Sequence, residues 1–217
     1  MPRARPPVAL PGTPTRTVLP AGTPLFRIHS AARQATGHRD VPTPCLYGGG
    51  RFDATPCHRY GFLYAGLSVP AAVCETLLRS VPFAVDGTPR AVPRAAVRGR
   101  RLSFLRLDAD VRMVCLVSGR DLAAVAQDSW LVQAEAVDYP YTRDWGHWIR
   151  EHTESWAQGF VWTSKREPAH RAAVLFDDRP TAPAVAETGQ PPVDFDTPQG
   201  EQWLNDVLEA YGARLAP

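Results

Sequence analysis

The pattern of apolar and polar positions along the chain predicts the strands. Residues 25–29 (LFRIH) alternate apolar and polar side chains, which is typical of a strand with one buried face. Short apolar runs bounded by turn residues predict further, more deeply buried strands. These lie at residues 61–66, 102–107, 111–117, 159–164 and 172–176.

A helix is predicted immediately after the strand at residues 61–66. Ser68 is a candidate N-cap, and Pro70 in the first turn favours a helix over residues 70–79. Its apolar face contains Val73 and Leu77 at helical spacing. Glu75 points off this apolar face, so its surroundings depend on the rest of the fold.

The second half of the chain predicts a long aromatic helix. It is expected over residues 144–157, with Thr142 as its cap and Gly159 at its end. Its stripe of large side chains predicts a core-facing side: Trp145, Trp148, Ile149, His152 and Trp156. A short helix at residues 121–126 and an amphipathic helix at 198–215 complete the pattern, and residues 80–101 and 177–198 are predicted to be connecting loops.

The order of these elements indicates the fold class. Strands and helices follow each other without a regular βαβ alternation, so the sequence predicts an α+β fold. A chain of 217 residues can form a single compact domain, with a mixed β-sheet core flanked by helices. The Pro-rich residues 1–23 predict a disordered N-terminal extension, and residues 24–217 are expected to form the domain, ending in a helix.

Hydropathy and charge argue against two classes of partner. No apolar stretch reaches the ~20 residues that cross a bilayer, and the N-terminus lacks the apolar core of a secretory signal. We therefore expect a cytoplasmic protein without a membrane partner. The 24 basic and 22 acidic residues nearly balance, unlike the one-sided charge of a nucleic-acid binder. The Arg-rich residues 90–106 keep nucleic-acid binding as the least favoured alternative.

The cysteines do not predict a metal site. The chain contains Cys45, Cys57, Cys74 and Cys115 without a C-x-x-C pair. Although His58 follows Cys57, zinc sites usually show tighter ligand pairs. We expect free thiols in a reducing compartment and no metal.

Four short motifs occur in order along the chain. A Gly-rich loop, residues 48–51, ends in Arg51. A strand contains Tyr64, and the next helix carries Glu75 eleven residues after Tyr64. The late strand at residues 159–164 ends in Ser164, followed by Lys165 and Arg166. This series resembles the RES domain, a family named for its Arg, Glu and Ser, over about residues 25–177.

Two further positions complete the comparison with the family. The opening strand carries Arg27, which matches a family Arg at the first strand. The family's usual Trp and Asn after the loop Arg are replaced by Phe52 and Asp53.

The resemblance implies a fold, an activity and a partner. RES domains are similar in fold to ADP-ribosyltransferases, and RES toxins of bacterial type II toxin–antitoxin pairs degrade NAD. They do so by hydrolysis or phosphorolysis, so NAD is a substrate rather than a cofactor, and inorganic phosphate is the co-substrate if the reaction is a phosphorolysis. A cognate Xre-like antitoxin protein is the expected partner.

The residue types suit this chemistry. Cleavage of the nicotinamide–ribose bond builds positive charge on the ribose, which a carboxylate such as Glu75 stabilises. Arg27 and Arg51 are expected to bind the pyrophosphate, because guanidinium groups match phosphate oxygens. Tyr64 offers a flat face for the nicotinamide ring, and Ser164 a hydroxyl for the carboxamide or a ribose hydroxyl. Glu75, Arg51, Tyr64 and Ser164 are therefore the predicted catalytic residues, and Ser164 is not expected to act as a nucleophile.

Two alternatives stay open at this point. A mono-ADP-ribosyltransferase would cleave the same bond in the same site and pass the ribosyl group to a protein. A non-catalytic interaction domain would keep the RES-like residues as structural remnants. A Glu75 variant separates catalysis from this last alternative.

Overall fold

A central nine-stranded β-sheet organises the residues that the computed structural model describes, 5–179 and 181–217. The strands of the molecule, in chain order, are β1 (Arg16–Leu19), β2 (Pro24–Ser30), β3 (Phe62–Gly66), β4 (Arg90–Val92), β5 (Arg100–Leu107), β6 (Val111–Leu116), β7 (Gly159–Thr163), β8 (Arg171–Phe176), β9 (Val185–Glu187), β10 (Val193–Asp194) and β11 (Ala213–Leu215). Strands β4 and β11 form a separate parallel pair.

The central sheet is mixed, as the sequence predicted. Its order is β1-β6-β7-β8-β3-β2-β5, and both β9 and β10 pair with the outer edge of β5. All neighbours are antiparallel except β6 and β7, which run parallel. Strands β3 and β7 therefore flank β8 near the middle of the sheet.

Five α-helices accompany the sheet in the described part of the chain. They are α1 (Val69–Val73), α2 (Gly119–Ala123), α3 (Trp130–Gln133), α4 (Tyr139–His152) and α5 (Pro198–Glu209). Helix α1 continues directly into a π-helical turn, Cys74–Leu78. Ser68 caps α1 as predicted, because its Oγ accepts a hydrogen bond from the Ala71 N–H. None of the described helices is long and apolar enough to cross a bilayer.

The two faces of the sheet have different cores. On one face, Phe160 and Trp162 of β7 pack with Trp145, Trp148 and Ile149 of α4. Helices α1 and α5 cover the same face beside β2 and β5. The core of the opposite face consists of strand residues, including the partly buried Val185 of β9, together with Ala35 and the partly buried Leu67 from connecting segments. The α+β prediction is confirmed, with the helical core packed on one face.

Several predicted boundaries are wrong. The predicted disordered extension contains strand β1, which pairs with β6. The predicted loops contain β4, β9 and β10. Each is short and lies at an edge or in a small pair, so its alternation is too brief to show in the sequence.

The long aromatic helix also differs at both ends. Helix α4 begins at Tyr139, so Thr142 lies inside it and caps nothing. The Thr142 hydroxyl instead donates to the Arg51 and Tyr139 carbonyls. The helix ends at His152, and Gly159 begins β7. At the C-terminus, α5 ends at Glu209 and β11 follows.

A close approach at Gly66 joins β3 to α1. A Cβ atom at this position would lie 2.4 Å from the Ala72 nitrogen and 2.7 Å from the Ser68 carbonyl oxygen. Both are backbone atoms, which cannot move aside as a flexible side chain can. Glycine at position 66 therefore lets the helix that carries Glu75 lie directly against the sheet.

We predict that Gly66→Ala lowers the free energy of unfolding by roughly 2–3 kcal/mol through overpacking against the α1 backbone. Gly119→Ala is the matched control, because a Cβ there meets no atom within 4 Å. Its stability should stay within about 0.5 kcal/mol of the wild type in urea unfolding. Equal stability of the two variants would contradict this account of the α1 contact.

Candidate active site

The carboxylate of Glu75 collects the predicted motifs into one cluster. Its Oε2 accepts a hydrogen bond from Arg51 Nη1 at 2.7 Å. Its Oε1 accepts from the Ser164 hydroxyl at 3.1 Å and from the Lys165 backbone N–H at 2.7 Å. The structure thus brings Arg51 and Ser164, which are far from Glu75 in sequence, within hydrogen-bond distance of its carboxyl group.

The fold explains why these groups meet. Glu75 lies in the π-helical turn that follows β3 and α1, and such turns occur frequently at functional sites. Ser164 and Lys165 come directly after β7, which is separated from β3 only by β8. Arg51 comes from the Gly-rich loop that precedes β3. One strand end and one loop therefore converge on a single helical turn.

The pair of Arg51 and Glu75 is nearly removed from solvent. The exposed fraction is 2% for the Arg51 side chain and 12% for Glu75. Burial raises the pKa of Glu75, but the Arg51 charge and the hydrogen bonds from Lys165 and Ser164 outweigh it, so the pKa is lowered. Burial lowers the pKa of Arg51, but the nearby charge of Glu75 outweighs this effect, so the Arg51 pKa is raised. Both groups are charged at neutral pH.

The cluster keeps unused hydrogen-bonding capacity. A carboxylate offers about four lone-pair sites, and Glu75 uses three of them. The remaining site is on Oε2. Arg51 Nε and Nη2 are buried and have no hydrogen-bond partner among residues 5–179 and 181–217. The chain thus presents a carboxylate oxygen and guanidinium donors that its own residues do not satisfy.

The Gly-rich loop is held by Asp53. The Asp53 Oδ2 atom accepts hydrogen bonds from the Thr43 hydroxyl at 2.7 Å and the Gly50 N–H at 2.9 Å. Gly49 has a φ of +71°, and a Cβ there would lie 2.4 Å from the Thr43 side chain. Asp53, which replaces the family's usual Asn, therefore uses its Oδ2 carboxylate oxygen to fold this loop.

The ring of Phe52, which replaces the family's Trp, serves the core. It is fully buried and makes edge-to-face contacts with Phe160 and Trp162, each with ring centroids 5.3 Å apart. Arg51 and Phe52 thus point in different directions, one to the carboxylate and one to the sheet.

Arg143 of α4 anchors the same loop, and no motif in the sequence predicted it. Its fully buried guanidinium group donates to the carbonyls of Pro44, Cys45, Gly48 and Gly50 at 2.7–3.4 Å. The neighbouring Thr142 hydroxyl donates to the Arg51 carbonyl at 3.1 Å. Because all of these acceptors are backbone carbonyls, no sequence motif marks the contact.

Tyr64 lies beside the cluster and holds its backbone. The Tyr64 hydroxyl accepts a hydrogen bond from the Phe52 N–H at 2.8 Å. Its ring makes edge-to-face contacts with Phe62 and Trp162. Burial, and then the nearby Asp53 charge, raises the pKa of Tyr64 well above its usual value, so the hydroxyl stays protonated. Contact of its ring with nicotinamide stays a prediction.

Arg27 does not join the cluster, which corrects its expected place beside Arg51. Phe26 pairs with Gly66 and so shares its face of the sheet with Gly66 and Tyr64. Arg27, the next residue, points to the opposite face. There its Nη1 donates to the Ala35 and Gly37 carbonyls at 2.6 and 2.7 Å. Its contacts hold the loop after β2 and leave it away from Glu75.

A cleft elsewhere in the described part of the chain is a separate feature. It measures about 580 Å³ and is bordered by His58, Arg59 and the C-terminal half of α4. None of the predicted site residues lines it. In the same described ranges, no group of three or more His, Cys, Asp or Glu side chains is placed to hold a metal ion.

The mixed sheet and the buried Arg–Glu–Ser cluster define the class of protein, and comparison with known families agrees. Residues 24–197 match the family model described as the RES domain, so the chain belongs to the RES domain family. The expected family is thereby confirmed. A comparison with curated proteins finds no match.

A solved structure shows the same fold. The crystal structure of the MbcT–MbcA toxin–antitoxin complex from M. tuberculosis contains a chain that matches with a TM-score of 0.51 and 14% identity. The match covers 78% of this chain and 84% of that chain. At this identity the similarity supports the fold and carries no residue roles.

We predict that Glu75→Gln lowers the free energy of unfolding at pH 7 by about 3 kcal/mol, because Arg51 loses its buried partner. The pKa of Glu75 is depressed below the ordinary 4.5. The stabilisation is therefore fully present above pH 4.5 and is lost as the pH falls through the folded-state pKa.

Urea unfolding at several pH values measures this difference. The gap between wild type and Glu75→Gln should be constant from pH 7 to 5.5 and narrow below pH 4.5. Glu209→Gln, at the exposed end of α5, is the matched control and should differ little from wild type throughout. A gap that widens at acid pH would refute the assigned charge state.

Proposed function

We propose that this protein is a RES-type toxin that cleaves the nicotinamide–ribose bond of NAD. The observation that carries the proposal is the largely buried, ionised carboxylate of Glu75, which has one oxygen still able to accept a hydrogen bond. Membership of the RES domain family and the fold shared with a toxin–antitoxin complex support the same conclusion.

The charge of Glu75 suits the bond that breaks. Nicotinamide leaves as a neutral molecule from a cationic ring, so the step needs no general acid. Positive charge develops on the ribose, and a preorganised negative group in a water-poor site stabilises it. Glu75 Oε2, with its unused acceptor capacity, would receive a ribose hydroxyl and place the carboxylate beside that charge.

Arg51 and Ser164 have positioning roles in this proposal. Each donates to a different oxygen of Glu75, so together with the Lys165 N–H they fix the rotation of the carboxyl group. The predicted contact of Arg51 with a phosphate oxygen would use its Nε and Nη2, which are buried and unpartnered. We also propose that the Ser164 oxygen accepts a hydrogen bond from the substrate.

The group that attacks the ribose decides the reaction type. Water gives a glycohydrolase, inorganic phosphate gives a phosphorylase, and a protein side chain gives a mono-ADP-ribosyltransferase. All three use the same bond cleavage at Glu75. NAD is the substrate in each case, and phosphate is a co-substrate only in the second.

A partner protein belongs to the proposal. MbcT occurs in a toxin–antitoxin complex with MbcA, and this chain shares its fold. We propose a cognate antitoxin of the Xre-like type for this chain, which acts in the cytoplasm where NAD is consumed. A small helix-turn-helix protein encoded beside this chain would be the first candidate.

The first prediction from this proposal concerns Glu75. Purified wild-type protein should release nicotinamide from NAD, and Glu75→Gln should lower kcat by about 10²–10³-fold because the charge beside the ribose is lost. Circular dichroism must show that the variant is folded under the assay conditions. Glu209→Gln is the control and should keep wild-type activity.

The products of the same assay identify the acceptor. Release that requires phosphate indicates phosphorolysis, free ADP-ribose indicates hydrolysis, and labelled protein indicates a transferase. A folded wild-type protein that releases no nicotinamide would refute NAD cleavage and favour a non-catalytic interaction domain.

A second prediction compares the effects on kcat of replacing two buried serines, Ser164 and Ser103. Ser164→Ala should lower kcat by about ten-fold, because Glu75 loses one of its fixed hydrogen bonds. Ser103→Ala is the matched control, since Ser103 is also buried and bonds to His29 on the opposite face of the sheet. Equal kcat values for both variants would argue against a positioning role for Ser164.

A further inference from the structure

The cluster around Glu75 is short of positive charge for a dinucleotide. Glu75 neutralises Arg51, and Lys165 pairs with Glu135 at 2.6 Å. The pyrophosphate of NAD is a dianion and would be repelled by the Glu75 carboxylate. Arg27 lies on the opposite face of the sheet, and the unpartnered donors of Arg51 are buried. An accessible positive charge for the pyrophosphate must therefore come from another residue.

Arg79 occupies the required place. It follows Glu75 by four residues at the end of the π-helical turn, so both side chains lie on the same side of the helix. The Arg79 guanidinium group lies 5.1 Å from the centroid of the Tyr139 ring, which Arg51 borders at 5.6 Å. Its Nη2 reaches the Gly49 carbonyl of the Gly-rich loop at 3.4 Å.

The charge of Arg79 is uncommitted. Within residues 5–179 and 181–217, no carboxylate lies at ion-pair distance from its guanidinium group. The side chain is partly exposed, in contrast to buried Arg51, so a ligand can reach it. Its one hydrogen bond is long and leaves most of its donors free.

We propose that Arg79 binds the pyrophosphate group of the dinucleotide substrate, a role that rests on the proposed NAD cleavage. Arg51 stays paired with Glu75 at the ribose, and Arg79 supplies the additional positive charge one helical turn away. The Tyr139 ring and the Gly49 carbonyl orient the guanidinium group before the substrate arrives, which lowers the entropy lost on binding. The interaction is made with the intact substrate and is unchanged as the glycosidic bond breaks.

An interaction that is equally strong with the bound substrate and with the transition state has a distinct kinetic signature. Arg79→Gln should raise KM for NAD and Kd for ADP-ribose by about ten-fold each, the loss of roughly one charge-assisted hydrogen bond, with kcat within about two-fold of wild type. The increase should shrink at high salt, because the interaction is electrostatic and accessible to ions. Arg79→Lys keeps the charge and should recover part of the affinity.

A matched control and a second substrate exclude an indirect effect through the loop. Arg112→Gln removes an exposed arginine at the start of β6, the end of the sheet away from Ser164, and should change neither constant. Nicotinamide riboside contains the same scissile bond without phosphate, so Arg79→Gln should leave its kcat/KM nearly unchanged. An equal loss with NAD and nicotinamide riboside would show that Arg79 only holds the Gly-rich loop.

The outcomes distinguish this inference from the proposed function. If wild-type protein cleaves NAD and Arg79→Gln has a wild-type KM, the assignment of Arg79 is overturned while NAD cleavage stands. If wild-type protein cleaves nothing, calorimetric titration with ADP-ribose still tests Arg79. An unchanged Kd in Arg79→Gln, or no binding by either protein, then overturns it.

Discussion

The buried ion pair between Arg51 and Glu75 is the interaction on which the site depends. Burial of either charge alone is costly, so each group stabilises the charged form of the other. The pair joins the loop before β3 to the helical turn after it. Since Ser164 and Lys165 bind the same carboxylate from the end of β7, one acidic side chain connects three parts of the chain.

The surroundings of this pair are built mainly for rigidity. Arg143 and Thr142 hold the Gly-rich loop from α4, and Asp53 holds it from within. Tyr64 fixes the backbone of Phe52 from the sheet. These contacts restrict the position of Arg51, whose backbone and side chain are both bonded, and they keep the carboxylate in one orientation. A preorganised charge of this kind is what stabilisation of a cationic ribose requires.

Support for the site extends beyond the matched family region. The turn after Ser164 contains Glu167, which accepts a hydrogen bond from the Tyr211 hydroxyl at 2.8 Å. Tyr211 follows α5, and its carbonyl accepts from Arg90 of β4. The C-terminal segment, which lies past residue 197 where the family match ends, therefore contacts the turn that positions Ser164 and Lys165.

The sequence by itself determined the α+β class, the long buried strands and the order of the Arg, Tyr, Glu and Ser motifs. Those features are local, because alternation, helical spacing and a Ser cap can each be read within a few residues. The short strands β1, β4, β9 and β10 lacked such a pattern, and only their pairing partners create them. The same holds for the ends of α4, where Thr142 bonds to the Arg51 carbonyl instead of capping the helix. Only the tertiary structure decided which arginines reach Glu75. Arg27 and Phe26 are adjacent in sequence but point to opposite faces of the sheet, whereas Arg51 and Glu75 are joined across 24 positions. The direction of a strand's alternation and the contacts of a loop are set by long-range packing, and no local pattern of residues contains that information.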